Sequence, residues 1–190
     1  MKTTTAMAGR LKEAGFSLAE AVIVILLFSV VSGFAVLNVG AILPSIDANA
    51  AMKQTLAQLR SGRELAIAQR RNIQLQFIGI NQIQLVRQDV PNGTTVISTV
   101  TLTGKNEFLL FGSVPDTPDA FGSGAAVSFS GQAPWTFLSD GTLVDSSTNP
   151  VTGTVFLGQA GHAETARAVT ILGATGRVRD YRWTGTAWVH

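Results

Sequence analysis

The feature that most constrains this chain is an apolar run from Phe16 to about Leu43 with a single carboxylate, Glu20, set one turn inside it. Apart from Glu20, the run is broken only by Ser17, Ser29, Ser32, Asn38 and glycines. It is long enough for a helix to cross roughly 30 Å of hydrocarbon. A lone charge in such a helix is costly and marks a functional position. The stretch before it, residues 1–15, is short and polar and carries Lys2, Arg10 and Lys12 against Glu13. That positive charge predicts an N-terminus inside and the remainder of the chain outside. An ordinary secretory signal has its apolar run before a cleavage site marked by small residues. Here the run follows the leader. Ser32 and Gly33 supply small side chains suited to close helix packing in a membrane.

The 190 residues suit one compact domain plus an extension. Without cysteine, a disulfide framework and a thiolate metal site are both excluded. The formal charge is +2, from fourteen basic and twelve acidic residues. Without the leader's three basic side chains and one acidic, eleven of each remain. Attraction for nucleic acid must then come from a local patch, because bulk charge supplies none.

Pro44 predicts a boundary, since it lacks a helical donor and disfavours α geometry in the residue before it. A second helical pattern follows over 45–71, with Met52, Leu56, Leu59 and Ala66 recurring at three and four residues. Its polar face holds Arg60, Arg63, Glu64, Arg70 and Arg71, with Arg60 and Glu64 spaced for a modest i,i+4 pair. A solvated face, a filament contact and a second basic DNA surface are all compatible with that pattern.

After Asn72 the period drops to two. Ile73, Leu75 and Phe77, then Ile83 and Leu85, alternate with glutamines around Gly79-Ile80-Asn81, which predicts a hairpin. Further strands are expected at 94–102, 107–111, 125–130, 135–138, 142–144 and 153–158, separated by turn-rich clusters such as Pro115-Asp116-Thr117-Pro118 and Asp140-Gly141. Strand follows strand without a helical crossover, so the sheet should be mainly antiparallel. The fold class expected is α+β: a long N-terminal membrane-spanning and amphipathic helix carrying a β-rich head. The divisions are 1–15 leader, 16–72 helix with a span at about 16–43, and 73–190 head.

A last hairpin is expected from Ala168–Leu172, a turn at Gly173-Ala174-Thr175-Gly176, and Arg177–Trp183. Alternation puts Arg177, Arg179, Tyr181 and Trp183 on one face and Val178 on the other, with the two arginines roughly 6.6–6.8 Å apart at the backbone. Guanidinium groups recognise phosphate bidentately, and neighbouring aromatics give bases a stacking surface. The competing reading is a solvated structural hairpin whose arginines pair with Asp180, with Glu164 or with another subunit.

Gly15-Phe16-Ser17-Leu18-Ala19-Glu20 resembles the type IV prepilin signal of pilins and pseudopilins. The resemblance implies that prepilin peptidase cuts between Gly15 and Phe16 and that Phe16 is then N-methylated. It also implies that Glu20 neutralises the amino terminus of a neighbouring subunit during assembly, two charges in low dielectric being tolerable as a pair. A simple single-pass anchor explains the length of the run and gives no reason for Glu20. The block from Leu59-Arg60-Ser61 through Arg71-Asn72 into an alternating strand looks like the head of FimT/GspH-type minor pilins. Phe129-Ser130 and Phe137-Leu138-Ser139-Asp140-Gly141 fit that pattern loosely. Gly176-Arg177-Val178-Arg179 is similar to the Gly-Arg-x-Arg motif of FimT-type pilins, whose C-terminal region binds DNA in natural transformation. Carried over, this makes Gly176, Arg177, Arg179 and Arg182 the DNA-binding candidates, with Arg167 weaker.

The resemblance places the chain in the bacterial inner membrane with its head in the periplasm, then in a pilus or pseudopilus. Its partners there are prepilin peptidase, other pilin or pseudopilin subunits, the membrane and, on one reading, DNA. The alternative is a GspH-like minor pseudopilin of a type II secretion system that binds no DNA. No enzyme is assembled: His162, in a Gly-rich loop, and His190, at the terminus, lack companion ligands at metal spacing. Gly173–Arg177 lacks the Gly-Lys-Ser/Thr ending of a phosphate loop, and no Gly-x-Ser-x-Gly elbow occurs. No cofactor is expected.

Overall fold

The structure, a computed structural model, describes residues 17–112, 118–122 and 124–190, without the side chains of 34–41. The chain divides into two compact units, Met1–Ala41 and Ile42–His190. One helix, α1 (Leu18–Gln69), contributes to both.

In the first unit, the described side chains of α1 from Leu18 to Gly33 are all exposed. Leu18 is 82% exposed and Phe28 69%. Glu20 is the acid in the helix's first turn. Among the described residues no helix is long and apolar enough to cross a membrane. Residues 34–41, inside the run expected to do so, are not among those whose side chains are described. Gly15 and Phe16, the expected cleavage site, also lie outside the described residues.

In the second unit, Pro44 does not end the helix. The ring removes one helical hydrogen bond. Ser45 and Asn49, on the turn that follows, are tied to the Arg167 side chain, which holds the backbone helical there. The helix stops at Gln69 instead of 71, because Arg70 takes a left-handed φ of 51° and the Arg71 N–H turns back to the Ala66 carbonyl at 3.2 Å.

Among the described residues, ten of the eleven strands fall where alternation and turn residues predict them. The first sheet contains β1 (Ile73–Ile78), β2 (Gln82–Gln88), β3 (Thr94–Thr101), β6 (Trp135–Phe137) and β7 (Leu143–Val144), in the order β3-β2-β1-β6-β7. The second contains β4 (Glu107–Phe108), β5 (Val127–Phe129), β8 (Thr152–Gln159), β9 (His162–Leu172), β10 (Arg177–Trp183) and β11 (Trp188–Val189). Its order is β11-β10-β9-β8-β4, with β5 also on the β8 edge, and every pairing in both sheets is antiparallel. Three details differ from expectation. Only residues 107–108 of the 107–111 segment pair as strand; β9 begins at His162, so that histidine is on a strand and not in a loop; and β11 was not anticipated.

The helical stripe Ala51, Met52, Leu56, Leu59 and Ala66 packs into one cluster with Ile73, Leu75, Ile83, Leu85 and Phe137 of the first sheet and Leu157, Val169, Ile171 and Val178 of the second. Gly62 lets the helix sit close: a Cβ there would stand 3.0 Å from both Leu85 Cδ2 and Phe137 Cε2. Buried Gln58 reaches Ser98 Oγ at 3.1 Å, and Gln54 accepts the Thr103 N–H at 2.9 Å, so these two amides on this face find partners.

The two sheets are joined through backbone at Gly173. Its N–H donates to the Val151 carbonyl (2.8 Å), its carbonyl accepts from Leu143 (3.0 Å), and Val151 N–H donates to Leu143 (3.0 Å). A Cβ on Gly173 would run into the Val151 carbonyl oxygen and stand 2.6 Å from that of Leu143. Backbone cannot step aside as a side chain can. Gly173→Ala is therefore expected to destabilise the head by at least about 1–3 kcal/mol. Urea denaturation checks this, and an unchanged midpoint would refute the close approach.

Candidate nucleic-acid interface

The β9–β10 hairpin carries the candidate residues. Its register pairs Arg177 with Leu172, Arg179 with Thr170 and Arg182 with Arg167. Alternation holds: Val178 is buried in the main core, and Arg177 is exposed on the opposite face. Trp183 lies on the Arg177 side but offers nothing to a base. It is buried at 8% exposure, with Trp188 edge-on at 5.4 Å between ring centroids.

The two motif arginines have different environments. Arg179 Nη1 lies 3.3 Å from Asp119 Oδ1 and 3.5 Å from Tyr181 Oη. Asp119 is in a short 3₁₀ turn, Pro118–Ala120, at a left-handed φ of 58°, and also accepts the Thr170 hydroxyl at 2.8 Å. Partial burial works against the Asp119 charge. Hydrogen bonds from Thr170 and Tyr181 and the charges of Arg179 and Arg177 outweigh it, so its pKa lies below the usual carboxylate value. The phenol hydrogen bond and the nearby carboxylate likewise hold Arg179 more firmly protonated than usual. Arg177 has no bonded partner for its guanidinium among the described residues; only its backbone N–H is engaged, weakly, by Thr175 Oγ1 at 3.4 Å.

The remaining basic side chains sort by burial. Arg167, the weaker candidate from the sequence, is 1% exposed and is structural. Its Nε donates to Asn49 Oδ1 (2.8 Å), Nη1 to the carbonyls of Glu164 (3.0 Å) and Ala166 (2.9 Å), and Nη2 to Ser45 Oγ (3.1 Å). Burial, and secondarily the charge of Arg182, lower its pKa to about 10, so it stays a cation at neutral pH. Arg182 is exposed. The acids named as partners in the structural reading are engaged otherwise: Asp180 with Lys53 at 2.6 Å, and the Glu164 carboxylate with His162 at 2.8 Å. His162 therefore does not stand alone. Among the described residues no three His, Asp or Glu side chains are placed to hold a metal ion.

Sequence reasoning missed two residues. Asp119 carries no signal beyond a turn-rich composition. Arg63 was read as part of a polar helix face, whereas its Cδ and Nε fill the space where a Cβ of Gly176 would stand. The Arg63 Nε is buried with no hydrogen-bond partner.

No protein-family model matches the sequence, and no curated protein matches it significantly. Solved structures are similar to it at low identity. One is the minor pseudopilin EpsH of the type 2 secretion system of Vibrio cholerae, at 14% identity and TM-score 0.48 over 72% of this chain and 97% of that one. Another is the type IV minor pilin FimU of Pseudomonas aeruginosa, at 15% identity and TM-score 0.46 over 74% and 96%. The function proposed below rests on this chain's own residues.

The Asp119 contacts set a pH dependence. A carboxylate with a depressed folded pKa contributes stability that is complete above its unfolded value, near 3.8 here, and lost as pH falls through the folded one. Asp119→Asn is expected to cost about 1–2 kcal/mol at pH 7. The cost should shrink below pH 3.8 as the wild type loses the same contribution. Thermal melts of both proteins across that range check this; a difference independent of pH would show that the charge is not what matters.

Proposed function

We propose that this chain is a membrane-anchored minor subunit of a type IV filament system, a pilin or pseudopilin. Prepilin peptidase would cut after Gly15, Phe16 would become the methylated N-terminus, and the apolar part of α1 would hold the subunit in the inner membrane. On leaving the membrane, that segment packs among sister helices, and Glu20 pairs with a neighbour's terminal amine. The head, built on the second half of α1, is presented in the periplasm. Its role is structural and not enzymatic.

The observation that carries this reading is Glu20 itself, a lone carboxylate at the start of a helix whose neighbouring apolar side chains, among the described residues, are exposed. A helix apolar all round is a segment waiting for lipid or for other helices. A carboxylate inside it makes sense where a cation arrives to meet it. Glu20→Ala is expected to leave the subunit in the membrane fraction at normal abundance and to reduce its recovery in sheared filaments by at least about tenfold, the size of a 1.4 kcal/mol loss. Immunoblots of both fractions test it. Equal recovery of mutant and wild type in filaments would leave only the anchored-module reading.

A second reading concerns the head: that it captures DNA for uptake. What favours it is Arg177, exposed at the hairpin turn, with no bonded partner for its guanidinium among the described residues. The competing assignment, a type II secretion pseudopilin whose head contacts other subunits, predicts no DNA affinity.

A further inference from the structure

We propose that Asn92 is a site of spontaneous covalent modification: its side-chain amide is lost to attack by the Gly93 backbone nitrogen, which leaves a carboxylate on the turn between β2 and β3. Neither filament assembly nor the C-terminal hairpin enters into it.

The turn is pinned at its base and free at its tip. At the base, the Asp89 N–H donates to the Gly93 carbonyl at 2.9 Å. The Asp89 carboxylate accepts from Arg87 Nε at 2.6 Å and from the Thr95 hydroxyl at 2.5 Å. At the tip, every residue from Val90 to Val96 is exposed. Among the described residues nothing bonds the Asn92 side-chain amide or the Gly93 N–H. Gly93 has a φ of 129°, which other residues rarely adopt, so the backbone itself calls for glycine after Asn92. The space beside it is open: apart from chain neighbours, a Cβ there would have only Asp89 Cβ near it, at 4.0 Å.

The reaction needs only water, and asparagine is the labile partner. The Gly93 nitrogen, having lost its proton to hydroxide, forms a bond to Asn92 Cγ. The bond from Cγ to the amide nitrogen breaks, and ammonia leaves with a proton taken from water. Water then opens the five-membered imide. Opening at Cγ gives aspartate with the original main chain. Opening at the main-chain carbonyl carbon gives isoaspartate, whose main chain is one carbon longer. Overall one water enters, one ammonia leaves and nothing is oxidised or reduced. Each conversion adds one negative charge to residues 16–190, which otherwise carry eleven of each sign.

The chain holds its other candidates differently. No other asparagine precedes glycine, and a side chain on the following residue obstructs the attack. Asn149 precedes Pro150, which has no N–H to lose. Asn106 is buried and donates to the Thr103 carbonyl at 2.7 Å, and Asn49 accepts from Arg167. Asp140-Gly141 has the right spacing to form the same imide by loss of water. There, however, the Gly141 N–H is bonded to the Leu138 carbonyl at 2.8 Å, and an Asp140 oxygen accepts from Thr142. Fold as well as sequence singles out Asn92.

The test ages the purified full-length protein in detergent micelles at mildly acidic and mildly alkaline pH, then maps its tryptic peptides by mass spectrometry. Trypsin releases residues 88–105, in which Asn92 is the one asparagine. This peptide is expected to show an amide-to-acid mass shift, to split into aspartate and isoaspartate forms, and to convert faster as hydroxide rises. On ion exchange the aged protein should gain an acidic species that elutes with fresh Asn92→Asp. Asn92→Gln, whose attack closes a less favourable six-membered ring, should gain none. Conversion at Asn92 should be about as fast in the folded head as in the head unfolded by guanidinium chloride, whereas isomerisation at Asp140 should be much slower in the folded one. An Asn92 rate far lower in the folded head would show that the turn protects the residue, and would overturn the proposal. Faster amide loss at any other asparagine, or a peptide 88–105 unchanged by alkaline ageing, would overturn it equally.

Discussion

The head depends on one helical stripe being shared by two sheets. Ala51, Met52, Leu56, Leu59 and Ala66 occupy a single face of α1, and each sheet buries its own alternating residues against that face. Both sheets have thin margins of their own. β7 and β11 are two residues long, and the first sheet's third strand is largely exposed. Each fully buried Leu or Ile contributes roughly 1.5–3 kcal/mol, and the stripe lets both sheets collect that stabilisation from one element. The glycine at position 62 is what permits the approach, since any larger residue would push Leu85 and Phe137 outward.

Around that stripe, buried cations do the orienting. Arg167 is enclosed, meets only neutral acceptors, and spends its hydrogen bonds on Ser45 and Asn49 at one end and on strand carbonyls at the other. It therefore fixes where the helix begins to ride on the second sheet. Removing the guanidinium would strand carbonyl and amide oxygens, an asymmetry that makes such a network costly to break. Arg179 works similarly on the outer face, where Asp119 ties the Pro118–Ala120 turn to the hairpin. A charge used this way is unavailable to a ligand.

The sequence made the architecture legible wherever periodicity carries it. The helix stripe, the 73–88 hairpin and the 168–183 hairpin follow from spacing of 3.6 and 2, because burial on one face forces that spacing. Pro44 marks a boundary in pattern but not in backbone, since the consequence of a proline depends on what holds the next turn, and Arg167 lies more than a hundred residues away in sequence. The short β11 could not be seen for a related reason: it exists because Trp188 packs on Trp183. The candidate site was half legible. Motif and alternation placed Arg177 and Arg179 on one face, but exposure is a tertiary property. Asp119, in a turn, bonds Thr170 and Arg179, and Arg63, on the helix, packs against Gly141 and Gly176; these neighbours in space are distant in sequence.

Near-neutrality makes these local differences decisive. Residues 16–190 carry eleven basic and eleven acidic side chains, so no net charge gathers an anion at long range. At physiological salt a charge is felt over roughly 8 Å. Within that radius what counts is whether an arginine already has an acid bonded to it. Arg179 does, and Lys53 does with Asp180. Among the described residues Arg177, exposed at the start of β10, does not. A short motif is thus a weak guide to binding by itself: in the same Gly-Arg-x-Arg here, one arginine is paired with an acid and the other is exposed.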